Sequence, residues 1–168
     1  MNFNYGSIFD VEVILHKAII DDRGFLTELW RADEEDHKLE IDRQQDVKMV
    51  YASITLSGVQ RGPHQHVDQT DLFVFLGPGK MEVSLWDVRK NSKTKGKKMV
   101  FIANEGTNEV GYTTVRVPKR IIHAYRNVDK EFSMVLNFPD QLYAGYNKQY
   151  QVDEVRWEGI PEEEFTDV

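Results

Sequence analysis

Apolar and polar residues alternate with period two along most of this chain, the spacing that sends successive side chains to opposite faces of a strand. Val11-Glu12-Val13-Ile14 begins the pattern, and Lys48 to Thr55, Lys98 to Ile102, Tyr112 to Val117 and Glu131 to Phe138 repeat it. Asp71 to Leu76 and Lys80 to Val88 flank Gly77-Pro78-Gly79, and this turn chemistry predicts a hairpin. The lysines from Lys90 to Lys98 read as a solvated hairpin loop, and the acidic tail from Pro161 to Val168 as frayed. Ala32 to Ile41 alone carries a helical signal, with an acidic first turn that suits the helix dipole. Phe73, Phe75, Phe101, Phe132 and Phe138 are expected in the core. Many short strands with regular turns predict an all-β sandwich or barrel.

Length sets the scale of that fold. The 168 residues, 40% hydrophobic and 29% charged, suit one domain over 1–168, with its core at about 45–145 and an N-terminal arm at about 1–44. A net charge of -7 leaves no basic face for nucleic acid, although six arginines (Arg23, Arg61, Arg89, Arg116, Arg120, Arg126) can still gather around an anion. With no cysteine, disulfides, thiolate metal sites and cysteine nucleophiles are excluded, which fits a cytoplasmic protein. No apolar run approaches 18 residues, so no membrane span is expected, and no secretion signal is visible.

The chemistry concentrates in Arg61-Gly62-Pro63-His64-Gln65-His66, continued by Gln69 and Asp71. On a strand, His64 and His66 point to the same side. His123 lies downstream, after Pro118 and ahead of Asn127. Imidazoles with a carboxylate can move protons near neutral pH. They can also bind a divalent transition metal, for which His64, His66, Asp71 and His123 are the candidate ligands.

Gly58, His64, His66, Asp71 and Gly77 resemble the first cupin motif, with aspartate where the motif carries glutamate. Gly111, Pro118, His123 and Asn127 resemble the second, with Arg120 in place of a glycine. The resemblance implies a double-stranded β-helix, or jelly-roll barrel, with short N-terminal strands and one short helix. Further blocks are more specific. Asp21-Asp22-Arg23-Gly24-Phe25-Leu26-Thr27-Glu28 and Gly58-Val59-Gln60-Arg61-Gly62-Pro63-His64 resemble the dTDP-4-dehydrorhamnose 3,5-epimerase family over about residues 8 to 160.

That resemblance implies a homodimeric isomerase without metal or other cofactor, acting on a nucleotide sugar for surface polysaccharide synthesis. Arg23 and Glu28 would contact nucleotide or sugar, and Arg61 a phosphate or sugar oxygen. His64 would be the base, His123 would line the site, and Tyr143 would touch the nucleotide base or the substrate. The departures fall together. The family's enolate-stabilising lysine falls at Thr70-Asp71, its acid tyrosine near Asn137, and the carboxylate partner of its base at Glu158. Tyr51 and Ser53 replace nucleotide-contacting amides, and His66 replaces a glutamine. The expected catalytic set is therefore His64, His66 and Glu158. The expected substrate-binding set is Arg23, Glu28, Tyr51, Arg61, Gln69, Asp71, His123, Asn137 and Tyr143. Arg61, Gly62, His64, His66 and Gln69 also resemble the sugar 3,4-ketoisomerases. A metal-binding cupin and a nucleotide-sugar-binding module without turnover are the remaining readings.

Overall fold

The computed structural model describes residues 1–30, 46–104 and 111–168, so the helix expected at 32–41 lies outside the described residues. Its strands are β1 (Glu12–Lys17), β2 (Ile19–Asp21), β3 (Gly24–Leu26), β4 (Tyr51–Thr55), β5 (Gln60–Gln65) and β6 (Asp71–Pro78). Then come β7 (Met81–Asp87), β8 (Lys98–Ala103), β9 (Gly111–Val117), β10 (Ile121–Asn127), β11 (Ser133–Asn137) and β12 (Val155–Arg156). Two antiparallel five-stranded sheets, ordered β1-β9-β6-β11-β4 and β12-β5-β10-β7-β8, form the jelly roll, and β2-β3 stands as a separate hairpin. The all-β expectation holds. Two edge strands come from the flanks: β1 from the N-terminal arm, and β12 from beyond residue 145.

Alternation explains the inward faces. In β7, Met81, Val83, Leu85 and Asp87 are buried while the residues between them are half-buried. The central strands β6 and β10 are buried almost throughout, which is why Asp71 to Leu76 reads as a continuous apolar run. Phe73, Phe75, Met81, Leu85, Phe101, Val115, Ile121 and Val135 meet between the sheets, and each such side chain contributes roughly 1.5–3 kcal/mol by leaving water. Of the five expected core phenylalanines, Phe138 is half-buried and Phe132 is 46% exposed, because Phe132 precedes β11 and lies outside its inward register.

The expected hairpin across Gly77-Pro78-Gly79 does not form. β6 pairs with β9 and β11, whereas β7 pairs with β10 and β8, so this turn carries the chain from one sheet to the other. Turn residues specify that the chain reverses; which strands then pair is set by where the apolar faces of both can be buried. The lysine-rich segment does join a hairpin, β7 to β8, as expected.

Candidate active site

His64 stands in a row of paired residues across the second sheet, between Arg156 of β12 and His123 of β10. In the first sheet, Tyr51 of β4, Asn137 of β11 and Phe73 of β6 form a second row. Between these rows lies a cavity of about 670 Å³, within the usual range for small-molecule sites. Its walls include Tyr51, Arg61, His64, His66, Gln69, Phe73, Tyr125, Tyr143 and Glu158.

Gly62 makes the histidine row possible. Its φ of +76° is in the left-handed region, and a Cβ there would lie 2.5 Å from the His123 carbonyl oxygen and 3.0 Å from His64 Nδ1. Only glycine lets β5 approach β10 so closely. Arg120, at the place of the motif's glycine, also takes a left-handed φ of +66°. Its amide donates to the His66 carbonyl at 2.7 Å, and its guanidinium pairs with Asp167 at 3.1 Å.

Beneath the cavity the imidazoles converge. Ligand-capable atoms of His64, His66 and His123 lie within 4.8 Å of one another. His123 Nδ1 is 3.0 Å from the Ile121 carbonyl, and His66 Nδ1 meets the Asp153 carbonyl. A carbonyl can only accept, so both Nδ1 atoms carry hydrogen, and the second nitrogen of each ring is Nε2. These face one carboxylate oxygen, Asp71 Oδ2, at 3.3 Å from His66 and 3.4 Å from His123. The other oxygen, Oδ1, accepts from Gln69 Nε2 at 2.7 Å and Asn137 Nδ2 at 2.8 Å. Asn137 Nδ2 also donates to the Tyr51 hydroxyl at 2.8 Å.

Burial sets the protonation states. It pushes the His64 imidazole down to about 2, and the positive forms of His123, His66 and Arg156 add to the effect. Burial also lowers His123 to about 4, opposed by the Asp71 carboxylate. Tyr51 is pushed up to about 12 by burial, against its Asn137 hydrogen bond, and Tyr125 is raised for the same leading reason. At neutral pH, His64 therefore offers a lone pair and both phenols keep their protons.

The structure sorts the sequence candidates. Tyr51, Arg61, His64, His66, Gln69, Tyr143 and Glu158 line the cavity. Asp71, His123 and Asn137, 1–2% exposed, lie behind its wall. Glu158 makes no hydrogen bond to His64 among the described residues; Arg61 is braced on Thr55 Oγ1 at 3.1 Å and the Ile54 carbonyl at 2.9 Å. Arg23 pairs with Asp21 at 2.6 Å on the exposed β2-β3 turn, and neither it nor the exposed Glu28 lines the cavity. Sequence reasoning missed Tyr125, Lys148, Asp153 and Arg156. Tyr125 was findable, since it follows His123 by two on the same strand. Asp153 had no local signal: it arrives from a distant loop and accepts the amides of Val67, Asp68 and Gln69 at 2.8–2.9 Å. Those hydrogen bonds outweigh burial and hold its carboxyl below the usual range.

The sequence profile of the family described as dTDP-4-dehydrorhamnose 3,5-epimerase matches residues 6–158. A probable low-salt glycan biosynthesis epimerase, Agl13 of Haloferax volcanii, is 33% identical over 138 residues, 82% of this chain and 81% of that protein. The spore coat polysaccharide biosynthesis protein SpsL of Bacillus subtilis is 33% identical over 123 residues, 73% of this chain and 74% of that protein. Among solved structures, a dTDP sugar isomerase from Desulfovibrio desulfuricans G20 superimposes with a TM-score of 0.72 at 19% identity, covering 89% of this chain and 84% of that one.

Proposed function

The chain belongs to the dTDP-4-dehydrorhamnose 3,5-epimerase family and is an isomerase-type enzyme, and from that premise we propose that it inverts carbon next to the keto group of a 4-keto-deoxy nucleotide sugar for surface polysaccharide synthesis. The observation that carries this reading is His64, a neutral imidazole on the wall of a ligand-sized cavity that the Tyr51 phenol of the other sheet also lines. His64 takes the proton from the carbon beside the ketone, and the bonding pair moves to form an enolate on the former keto oxygen. The imidazolium so formed is stabilised by the negative charge left beside it. Tyr51 then gives a proton to the other face of that carbon, and the enolate collapses to the ketone. Both groups return to their starting states by exchange with solvent.

Arg61, Lys148 and Arg156 bring positive charge to the cavity for the diphosphate, and Tyr143 offers a ring to the nucleotide base. The base and acid are side chains, so the inversion needs no organic cofactor. The same reading puts the enzyme in the cytoplasm and in a homodimer. Support for a second copy comes from β2-β3, where Ile19, Ile20 and Leu26 are 61–69% exposed. A partner's hairpin would also deliver Arg23 and Glu28, which stand outside their own chain's cavity.

Turnover of a dTDP-4-keto-6-deoxy sugar in deuterium oxide tests the reading. Deuterium should enter the ring next to the ketone in wild type and not in His64→Asn. Tyr51→Phe should still exchange but lose net inversion. Undiminished exchange in His64→Asn would exclude His64 as the base, and a molar mass of 19.6 kDa by light scattering, rather than about twice that, would exclude the dimer.

A further inference from the structure

We propose that Asn137 is the positioning residue of the acid: its amide fills the acceptor side of the Tyr51 hydroxyl and so directs the phenol hydrogen toward the cavity. The inference rests on Tyr51 as the proton donor of the proposed function. Asn137 and Tyr51 are paired residues on β11 and β4. Asn137 is 1% exposed, whereas Tyr51 lines the cavity.

Three contacts leave the amide one orientation. The Leu72 backbone N–H donates to Asn137 Oδ1 at 3.1 Å, which fixes the oxygen on that side. The two hydrogens of Nδ2 then go to Asp71 Oδ1 and to the Tyr51 oxygen, each at 2.8 Å. Reversing the side chain would set its NH2 group against the Leu72 N–H and its oxygen against the Asp71 carboxylate. An amide nitrogen only donates, so the Tyr51 oxygen accepts and keeps its own hydrogen out of this bond. Among the described residues no acceptor takes that hydrogen. The nitrogen of Asn137 also stands between the phenol and Asp71, the carboxylate that would otherwise draw the hydrogen inward. The same contact serves the departure of the proton. When the Tyr51 O–H bond breaks, its electron pair stays on oxygen and the proton goes to the ring carbon. The Asn137 N–H is already in place on the phenolate, where a hydrogen bond to charge is stronger. Burial opposes this ionisation, and the Asn137 hydrogen bond works against burial.

The test compares wild type, Asn137→Asp, Asn137→Leu and Tyr51→Phe, with the Asn137 substitutions also made in Tyr51→Phe, on a dTDP-4-keto-6-deoxy sugar in deuterium oxide. Aspartate keeps the acceptor for Leu72 but lacks the second donor. With one proton shared between the new carboxyl and Asp71, its remaining lone pair accepts the Tyr51 hydrogen and draws it from the cavity. Leucine is of similar volume and makes no hydrogen bond. Each should lower kcat for inversion by about 100-fold, with KM within about threefold and deuterium exchange retained. In the Tyr51→Phe background neither should lower inversion further, because the group they position is gone. The Raman ring doublet of tyrosine, taken as the difference from Tyr51→Phe, reads the contact without turnover: in Asn137→Asp it should move to that of a phenol that donates without accepting. Circular dichroism checks each fold; should Asn137→Leu unfold for want of an acceptor at Leu72, Asn137→Asp decides alone. Exchange and inversion lost together, or a further loss in the Tyr51→Phe background, would make Asn137 merely structural and overturn the assignment. Inversion lost in Tyr51→Phe but normal in the Asn137 variants overturns this inference alone, whereas full inversion in Tyr51→Phe overturns the reading of the acid as well.

Discussion

Asp87, the last residue of β7, and Asp71, the first of β6, are equally buried at 1% exposure, and their surroundings differ. Asp87 is fully enclosed by donors. Arg89 Nε and Nη2 reach it at 2.9 Å, Ser92 Oγ at 2.5 Å and Thr94 Oγ1 at 2.6 Å. Asp71 has donors on one oxygen only, and its other oxygen, Oδ2, makes no hydrogen bond and lies 3.3 Å from His66 Nε2 and 3.4 Å from His123 Nε2. A carboxylate whose lone pairs are all matched holds a loop, here the one leaving β7. A carboxylate left half matched lies instead behind the cavity wall, beside His66 and His123. Incomplete satisfaction at a buried position, more than burial, distinguishes the functional end of this barrel.

The largest expected effect probes the functional end. His64→Asn should slow deuterium exchange by about 10³-fold or more while the urea midpoint barely moves, because the general base is lost and no structural bond goes with it. At the other end, Asp87→Asn should lose about 3 kcal/mol of stability by equilibrium urea unfolding, since it leaves the Arg89 guanidinium, only 16% exposed, with the more distant Asp10 at 3.8 Å in place of its bidentate charge partner. Gly62→Ala should cost about 2 kcal/mol and also impair exchange. Its Cβ would collide with the His123 carbonyl from a left-handed backbone, so both the fold and the histidine row must shift.

Acid should sharpen the contrast further. Burial raises the Asp87 carboxyl, but the hydrogen bonds of Arg89, Ser92 and Thr94 outweigh it and hold the group below its ordinary 3.8. The native state then takes up that proton less readily than the unfolded chain. The contribution of Asp87 is therefore complete above pH 3.8 and is lost as pH falls through the lower native value. Urea midpoints at pH 5 and pH 3 should show this loss in wild type, and less of it in Asp87→Asn. Smallest of all, Asp71→Asn should change stability by less than about 1 kcal/mol, the amide keeping the Oδ1 acceptor and giving the imidazoles a donor. A loss near that of Asp87→Asn would mean that Asp71 is a structural ion pair after all.

Much of the site was legible because it is local. His64 and His66 share a face through the period of a strand, and Asp71 opens the next apolar run. Tyr51, Arg61, Gln69, Tyr143 and Glu158 were likewise named from sequence and line the cavity. What escaped was long-range. Asp153 acts on residues 84 to 86 positions away, and Arg156 reaches His64 only because β12 pairs with β5. The same limit explains the hairpin that did not form at Gly77-Pro78-Gly79.

By itself, then, the sequence determined an all-β chain, the turn positions and the placing of His64 and His66 together at the end of β5. Those follow from backbone sterics and the alternation of side chains, which act within a few residues. Only the tertiary structure decided that β6 and β7 belong to different sheets, that Asp71 faces His66 and His123, and that Arg23 and Glu28 stand outside their own chain's cavity. These depend on which apolar faces bury one another, and burial is a property of the assembled sheets rather than of any one segment.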